Sequence, residues 1–310
     1  MNLPLNHPTD VRKLLAADLA KREPWKQPWW RSTPGDGPVL FWVIIIHVLA
    51  LAGFVLTPLP GWRVLLAATL LHVLGGLGTT VGFHRALAHK SVRLHPVVSN
   101  LLILFAMLNG SGSPLSWVAN HRLHHAKSDT VDDISSPRVG GFWWSHLRWL
   151  WQAGAPPIGK YCRDIDTPQY RRWSRLQIPL AVVALLIGAP FGLAAFFWIG
   201  PIRLVIALHA QCCVNSVCHM RRSADMSEGT ACNVGWLSLL HFGLGENWHR
   251  NHHDRPGSAR IGWGLLQPDA GWAAIRVLEW LRLARDVHCP KKMAPSVEIE
   301  VRPAVSSAYD

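Results

Sequence analysis

Of the 17 histidines in this chain of 310 residues, nine fall into four short groups. His84 and His89 stand in H-R-A-L-A-H, His121, His124 and His125 in H-R-L-H-H, and His249, His252 and His253 in H-R-N-H-H. His219 follows Asn215 by four positions. On a helix, positions i, i+3 and i+4 lie within an arc of roughly 100°, so each H-x-x-H-H group turns three imidazoles towards one point. Asn215 and His219 share a helix face in the same way. The i, i+5 pair His84 and His89 is about 140° apart on an ideal helix, so the helix is expected to bend or end between them.

That arrangement is a metal-ligand face. First-row ions take four to six protein ligands, so nine imidazoles suit two ions, each keeping a position for water, O2 or substrate. Imidazole serves zinc, copper, iron and nickel alike, which leaves the element open. Asp129, Asp132, Asp133 and Glu246 are candidates to balance the charge by accepting the other imidazole N–H. A single histidine at an interface is more simply a solvated one. Two H-x-x-H-H groups, an H-x-x-x-x-H and an Asn/His pair together are not. Of the other eight, His47, His72 and His209 lie in apolar stretches and are expected to face a bundle interior and bond a neighbour. They also admit a haem between helices, which would leave the nine clustered residues unexplained. His7, His95, His146, His241 and His288 are expected to be ordinary. No H-E-x-x-H occurs, which argues against a zinc protease.

The elements that position these groups are membrane helices. Only 16% of residues are charged, against about 25% in a typical soluble chain, while 49% are hydrophobic and Trp, at 17, outnumbers Phe, at 9. Six cysteines in such a length exclude a disulfide scaffold. A hydrocarbon core of roughly 30 Å needs about 20 apolar residues. Spans are expected at about 38–58 and 62–83, joined by a tight turn, and at about 176–199 and 201–219, joined at Gly200-Pro201. The shorter run 96–107 suits an interfacial helix. The expected architecture is therefore an all-α integral membrane protein, four transmembrane helices in two hairpins, with a helical cap over the metal site. Residues 1–37 form an N-terminal arm without a cleavable signal, 38–289 the main domain, and 290–310 a tail without periodicity, expected to be disordered.

The net charge of +12 comes from 31 Lys and Arg against 19 Asp and Glu. Only Arg63 and Arg203 fall near the two expected hairpin turns, which leaves 29 basic residues on the other side. By the positive-inside tendency that side, with both termini and the cap, is cytoplasmic. Trp25, Trp29, Trp30, Trp143, Trp144, Trp149 and Trp151 suit a headgroup belt. No basic stripe interleaved with aromatics suggests nucleic acid.

With those residues in place, the sequence resembles the membrane-bound fatty acyl desaturases, particularly the acyl-CoA delta-9 (stearoyl-CoA) type, from the second span to about Val287. H-R-A-L-A-H, H-R-L-H-H and H-R-N-H-H match that family's three histidine boxes in order and spacing. N-S-V-C-H, Asn215 to His219, matches its extra ligand site, and G-E-N-W-H-R-N-H-H with S-A-R-I-G-W its third-box signature. The resemblance implies a di-iron site with His84, His89, His121, His124, His125, His219, His249, His252 and His253 as ligands and Asn215 acting through water. It implies a reaction that uses O2 as co-substrate and two external electrons to leave a cis double bond. Trp117 matches a family position at the bend of the acyl tunnel. Ala119-Asn120 replaces the Arg-Asp of animal acyl-CoA enzymes, so CoA, acyl carrier protein and lipid-linked carriers all stay open. D-D-I-S-S-P, Asp132 to Pro137, and Asp254-Arg255 are further departures.

No haem or iron–sulfur module is evident, so a separate donor, such as ferredoxin or cytochrome b5 with its reductase, is expected. The compact chain points to a bacterial inner membrane. The alternatives are a lipid hydroxylase or acetylenase with the same site, and a non-catalytic membrane metal or haem protein.

Overall fold

A computed structural model describes residues 23–220 and 229–290. Most of the expected N-terminal arm, including His7, and nearly all of the expected tail lie outside these. The described chain is mostly helical, and three helices are long and apolar enough to cross a membrane: α1 (Gly37–Leu56), α2 (Trp62–Ala88) and, later in the chain, Leu193–His219. At 1.5 Å per residue α1 spans about 30 Å, the thickness of a hydrocarbon core. The two 27-residue helices reach about 40 Å, so an end of each projects beyond it. His84 and His219 sit on those ends.

Between them the chain is punctuated by side-chain caps. α3 (Pro96–Leu108) and α4 (Pro114–Lys127) each begin with Pro, whose missing N–H costs nothing in a first turn. Ser113 Oγ accepts from the Ser116 N–H at 3.3 Å. α5 (Pro137–Trp143) starts in the same way, with Ser136 accepting from the Arg138 N–H at 3.2 Å, and runs on through the π turn Trp144–Arg148. α6 (Pro168–Arg175) meets α7 (Gln177–Phe191) at a bend of 46°, and the pair is apolar enough to count as one broken span. α8 (Leu193–His219), the short α9 (His249–Asp254) and α10 (Ala270–Trp280) follow. Two short antiparallel strands, β1 (Arg93–Leu94) and β2 (Ala284–Arg285), tie the end of the cap to the exit of α2.

The second hairpin differs from the sequence expectation. The turn falls at the end of α7, through the 3₁₀ turn Ala189–Phe191 to Gly192, which takes φ +98°, and not at Gly200-Pro201. Gly200 and Pro201 lie inside α8, in a π turn, Trp198–Ile202. The wider turn accommodates a residue that has no N–H to give. Gly200 serves close approach: a Cβ there would lie 2.2 Å from the Leu185 carbonyl oxygen of α7. The shift also moves Arg203 off the turn. Its buried guanidinium bonds Asn109 Oδ1 at 3.0 Å and the carbonyls of Leu108 and Ile199.

α1 and α8 pack through Ile46 and Ala50 against Leu204, Phe197 and Ile202. Their intraspan histidines meet. His47 Nε2 and His209 Nε2 are 3.0 Å apart, His209 Nδ1 and His146 Nε2 2.8 Å, and His146 Nδ1 lies 2.8 Å from Ser216 Oγ. This chain of hydrogen bonds links α1, α8 and the π turn after α5. His146 is therefore not an ordinary surface residue. The tryptophan belt is also divided: Trp29, Trp30 and Trp143 are exposed, whereas Trp144 and Trp151 are core residues. Their indole N–H groups donate to the carbonyls of Ile134 and Trp29.

Candidate metal centre

The nine clustered histidines converge from four elements into two groups. His84, His89, His121, His125 and His252 form one, and His124, His219, His249 and His253 the other, with the ligand atoms of each group within 4.8 Å of one another. α4 and α9 each divide their H-x-x-H-H between the two groups. His84 and His89 reach the same point because the end of α2, Gly78–Ala88, is a π-helix. Its i→i+5 bonding is visible in the His89 N–H donating to the His84 carbonyl at 3.1 Å, and the two rings stand 5.0 Å apart. The helix ends between them, as expected, at Ala88 with His89 as its C-cap. It widens by one residue per turn and brings positions five apart onto one face.

The donor set fits two metal ions. Within each group, Nε2 atoms approach one another at 2.7 to 3.2 Å. Neighbouring ligands about 2.1 Å from one ion stand roughly 3 Å apart. Three of the outward nitrogens are held by carboxylates. His84 Nδ1 lies 2.8 Å from Glu246, His124 Nδ1 2.9 Å from Asp133, and His219 Nδ1 3.6 Å from Asp129 and 3.2 Å from Thr230 Oγ1. Such partners put the proton on Nδ1 and leave the Nε2 lone pair facing inward. Asp132, the fourth candidate carboxylate, instead pairs with Lys127 on the surface at 3.1 Å.

Electrostatics keeps the site in its ligating state. Burial, followed by the field of its imidazole neighbours, pushes His89 down to about 2 and holds His121, His125, His249, His252 and His253 well below the usual histidine range. Neutral imidazoles are what metal binding requires. Burial opposes ionisation of Glu246 and Asp133, yet His84 with Arg85 and Thr80 draws Glu246 down to about 2, and His124 with backbone N–H donors lowers Asp133.

Several supporting residues were not apparent from the sequence. Arg85, in the first box, is buried and donates to Asp269 at 2.8 Å and to the Leu244 carbonyl. Asp269 also accepts from the N–H groups of Ile261, Gly262 and Trp272, so it caps α10 while it fixes the loop after the third box. Arg122, in the second box, donates to the carbonyls of Leu87, Ala88 and Tyr161 and forks onto Asp164. The only available signal was the Arg after the first His in all three boxes.

Trp117 stacks on His121 at 4.9 Å between ring centres and lies 5.9 Å from both Phe83 and His84. Asn215 sits one turn before His219 on α8, half-buried. Inside the bundle a cavity of about 50 Å³, lined by His72, Thr80, Asn109 and Gln211 among others, reaches Glu246. It is large enough for water and too small for an acyl chain.

Long helices apolar enough to cross a membrane carry two histidine clusters that fit a metal site at one end of the bundle. The fatty acid desaturase family model matches residues 60–268. Delta-9 acyl-lipid desaturase 1 of Arabidopsis thaliana is 34% identical over 94% of this chain and 97% of its own length. The sn-1 stearoyl-lipid 9-desaturase of a Synechocystis strain is 33% identical, with 83% and 81% covered. A chloroplastic palmitoyl-monogalactosyldiacylglycerol delta-7 desaturase of Arabidopsis thaliana is 31% identical, with 91% and 77% covered. The chain belongs to the fatty acid desaturase family and is an oxidoreductase acting on fatty acyl chains.

Proposed function

We propose that the chain is an O2-dependent di-iron desaturase that introduces a cis double bond, delta-9-like, into a lipid-linked fatty acyl chain. The observation that carries this is the division of nine histidines into a five-ligand and a four-ligand group with their Nε2 atoms turned inward. His84, His89, His121, His125 and His252 would hold one iron. His124, His219, His249 and His253 would hold the other, with Asn215 reaching it through water. Two irons held there supply the binding and reduction of O2 with electrons from a separate ferredoxin or cytochrome b5. In the balance, two hydrogens leave a pair of methylenes, two electrons and two protons are consumed, and O2 becomes two water molecules.

The chain's own part is positional. The carboxylates fix the tautomer of His84, His124 and His219. Trp117, packed on His121, forms a flat apolar wall that holds an acyl chain beside the centre, where the packed core excludes water. A lipid-linked carrier is supported by the acyl-lipid relatives and by Ala119-Asn120 where acyl-CoA enzymes have a charged pair. For topology we propose four spans in two hairpins, α1 with α2 and α6–α7 with α8. Both termini and the cap are cytoplasmic, in a bacterial inner membrane. The test is expression in a host that supplies donor and lipids, followed by mass spectrometry of the acyl products and metal analysis. About two irons per chain, no Soret band and a cis-monounsaturated product are expected. Recovery of hydroxylated lipid alone would overturn the desaturase reading.

A further inference from the structure

A groove where α3 crosses α6 has no part in the metal centre. It measures about 460 Å³ and is lined by Asn100, Gln169, Arg172, Trp173 and Leu176. Asn100 closes its floor: its Oδ1 accepts from Gln169 Nε2 at 3.1 Å and from Trp173 Nε1 at 3.0 Å, while its own amide donates to the Pro96 carbonyl at 2.9 Å. The polar floor is thus internally satisfied, and the guanidinium at its wall is not. Arg171 is neutralised by a fork onto Asp166 at 2.6 and 2.8 Å. Among the described residues, neither Arg172 nor Arg175 has a hydrogen-bond or ion-pair partner. Three positions apart, they lie on one helix face.

The surroundings identify the depth. Leu176, which lines the groove, is exposed, as are Val97 and Leu101 of α3 and Ile178 of α7, which lie within three positions of lining residues along the chain. The chain turns by 46° at this point, from the basic α6 into the apolar α7. Unpaired guanidiniums followed along the chain by exposed aliphatic side chains are the pattern of a boundary between headgroups and hydrocarbon. An Arg pair favours a phosphate, which it can bind in a fork, and an aliphatic rim favours a ligand that carries acyl chains. We propose that this groove binds the headgroup of an anionic phospholipid, with Arg172 and Arg175 on the phosphate and the chains against Val97, Leu101 and Leu176. The site stands independently of the reaction. Its inner wall, Trp173, belongs to the same packed cluster as Phe83 and Trp117 beside the metal centre.

The test uses the full-length protein in nanodiscs of mixed phosphatidylcholine and phosphatidylglycerol, with the retained lipid counted by native mass spectrometry. Enrichment of phosphatidylglycerol is expected for the parent. R172Q/R175Q should reduce it about tenfold or more, since each surface cation contributes on the order of a factor of five. Thermal midpoint and iron content, which report folding, should stay unchanged. R93Q/K160Q removes two exposed charges elsewhere and should retain the enrichment. Equal loss in both variants, or no loss in the first, would overturn the site. Titration with inorganic phosphate separates the two sources of the same chemistry: displacement of the lipid by millimolar phosphate would show a free-anion site and overturn the lipid assignment.

Discussion

His124 has two tasks in one ring, with Nε2 facing the four-histidine group and Nδ1 bonded to the buried Asp133. Replacing it with Ala should abolish turnover and lower the iron content. His288→Ala should do neither, because that residue is tied to its neighbours through backbone bonds to Ser91 and Ala259. Metal analysis and product assay on the two variants decide this. Asp133→Asn is the finer probe. The amide can no longer enforce the Nδ1–H tautomer, so iron retention against a chelator should fall about 10–100-fold while the helices remain folded. Unchanged retention would remove Asp133 from the positioning of the site. The clustering of the histidines was legible in the sequence because three- and four-residue spacings survive as faces on α4 and α9. Their supports were not. Thr230, whose N–H donates to Asp129 101 positions away, and Asp269, which accepts from Arg85 184 positions away, are marked by no local pattern.

The box spacing of five was legible as a motif and as a sign that the helix ends before His89, but the pitch of that helix was not. An ideal helix separates His84 from His89, and only the π-helical end of α2 restores their common face. Sequence periodicity assumes a fixed pitch, so a change of pitch was invisible to it. The same holds for Gly200-Pro201, whose composition suggests a turn but whose place is within α8, against α7. What holds the end of α2 in register with α4 is Arg122, which bonds the carbonyls that a helix end leaves unpaired. Arg122→Gln should lower stability by about 2–3 kcal/mol and reduce iron content, since His89 and His121 lose their common anchor. The downshift of Asp164, caused chiefly by its hydrogen bond from Arg122 with Lys90 contributing, gives the pH sign. A carboxylate depressed on folding stabilises above its unfolded value of about 3.9 and stops doing so as pH falls through its folded value. Asp164→Asn should therefore lower the thermal midpoint at neutral pH, and the difference from the parent should close below about pH 3.9. A difference constant down to pH 2 would mean the pair contributes through packing and not through charge.

At the scale of the whole molecule, charge and topology act together. Composition alone made the excess of 31 basic over 19 acidic residues visible, and placing Arg203 inside α8 leaves Arg63 as the basic residue nearest the hairpin turns. The proposed cytoplasmic face is then strongly basic, and the proposed di-iron centre it covers would take its electrons from a separate protein. Ferredoxins and cytochrome b5 domains that are acidic would be steered to such a face, raising the encounter rate well above that of neutral partners. Steering acts over a Debye length, about 10 Å at 0.1 M salt and about 3 Å at 1 M. Turnover at limiting donor should accordingly fall steeply between low and high ionic strength, while turnover at saturating donor changes little, because salt acts on association and not on the buried centre. Stopped-flow reduction of the reconstituted enzyme at several salt concentrations measures the first quantity directly. A second-order rate constant that is flat across that range would rule out docking through the basic face and place the donor on an uncharged surface.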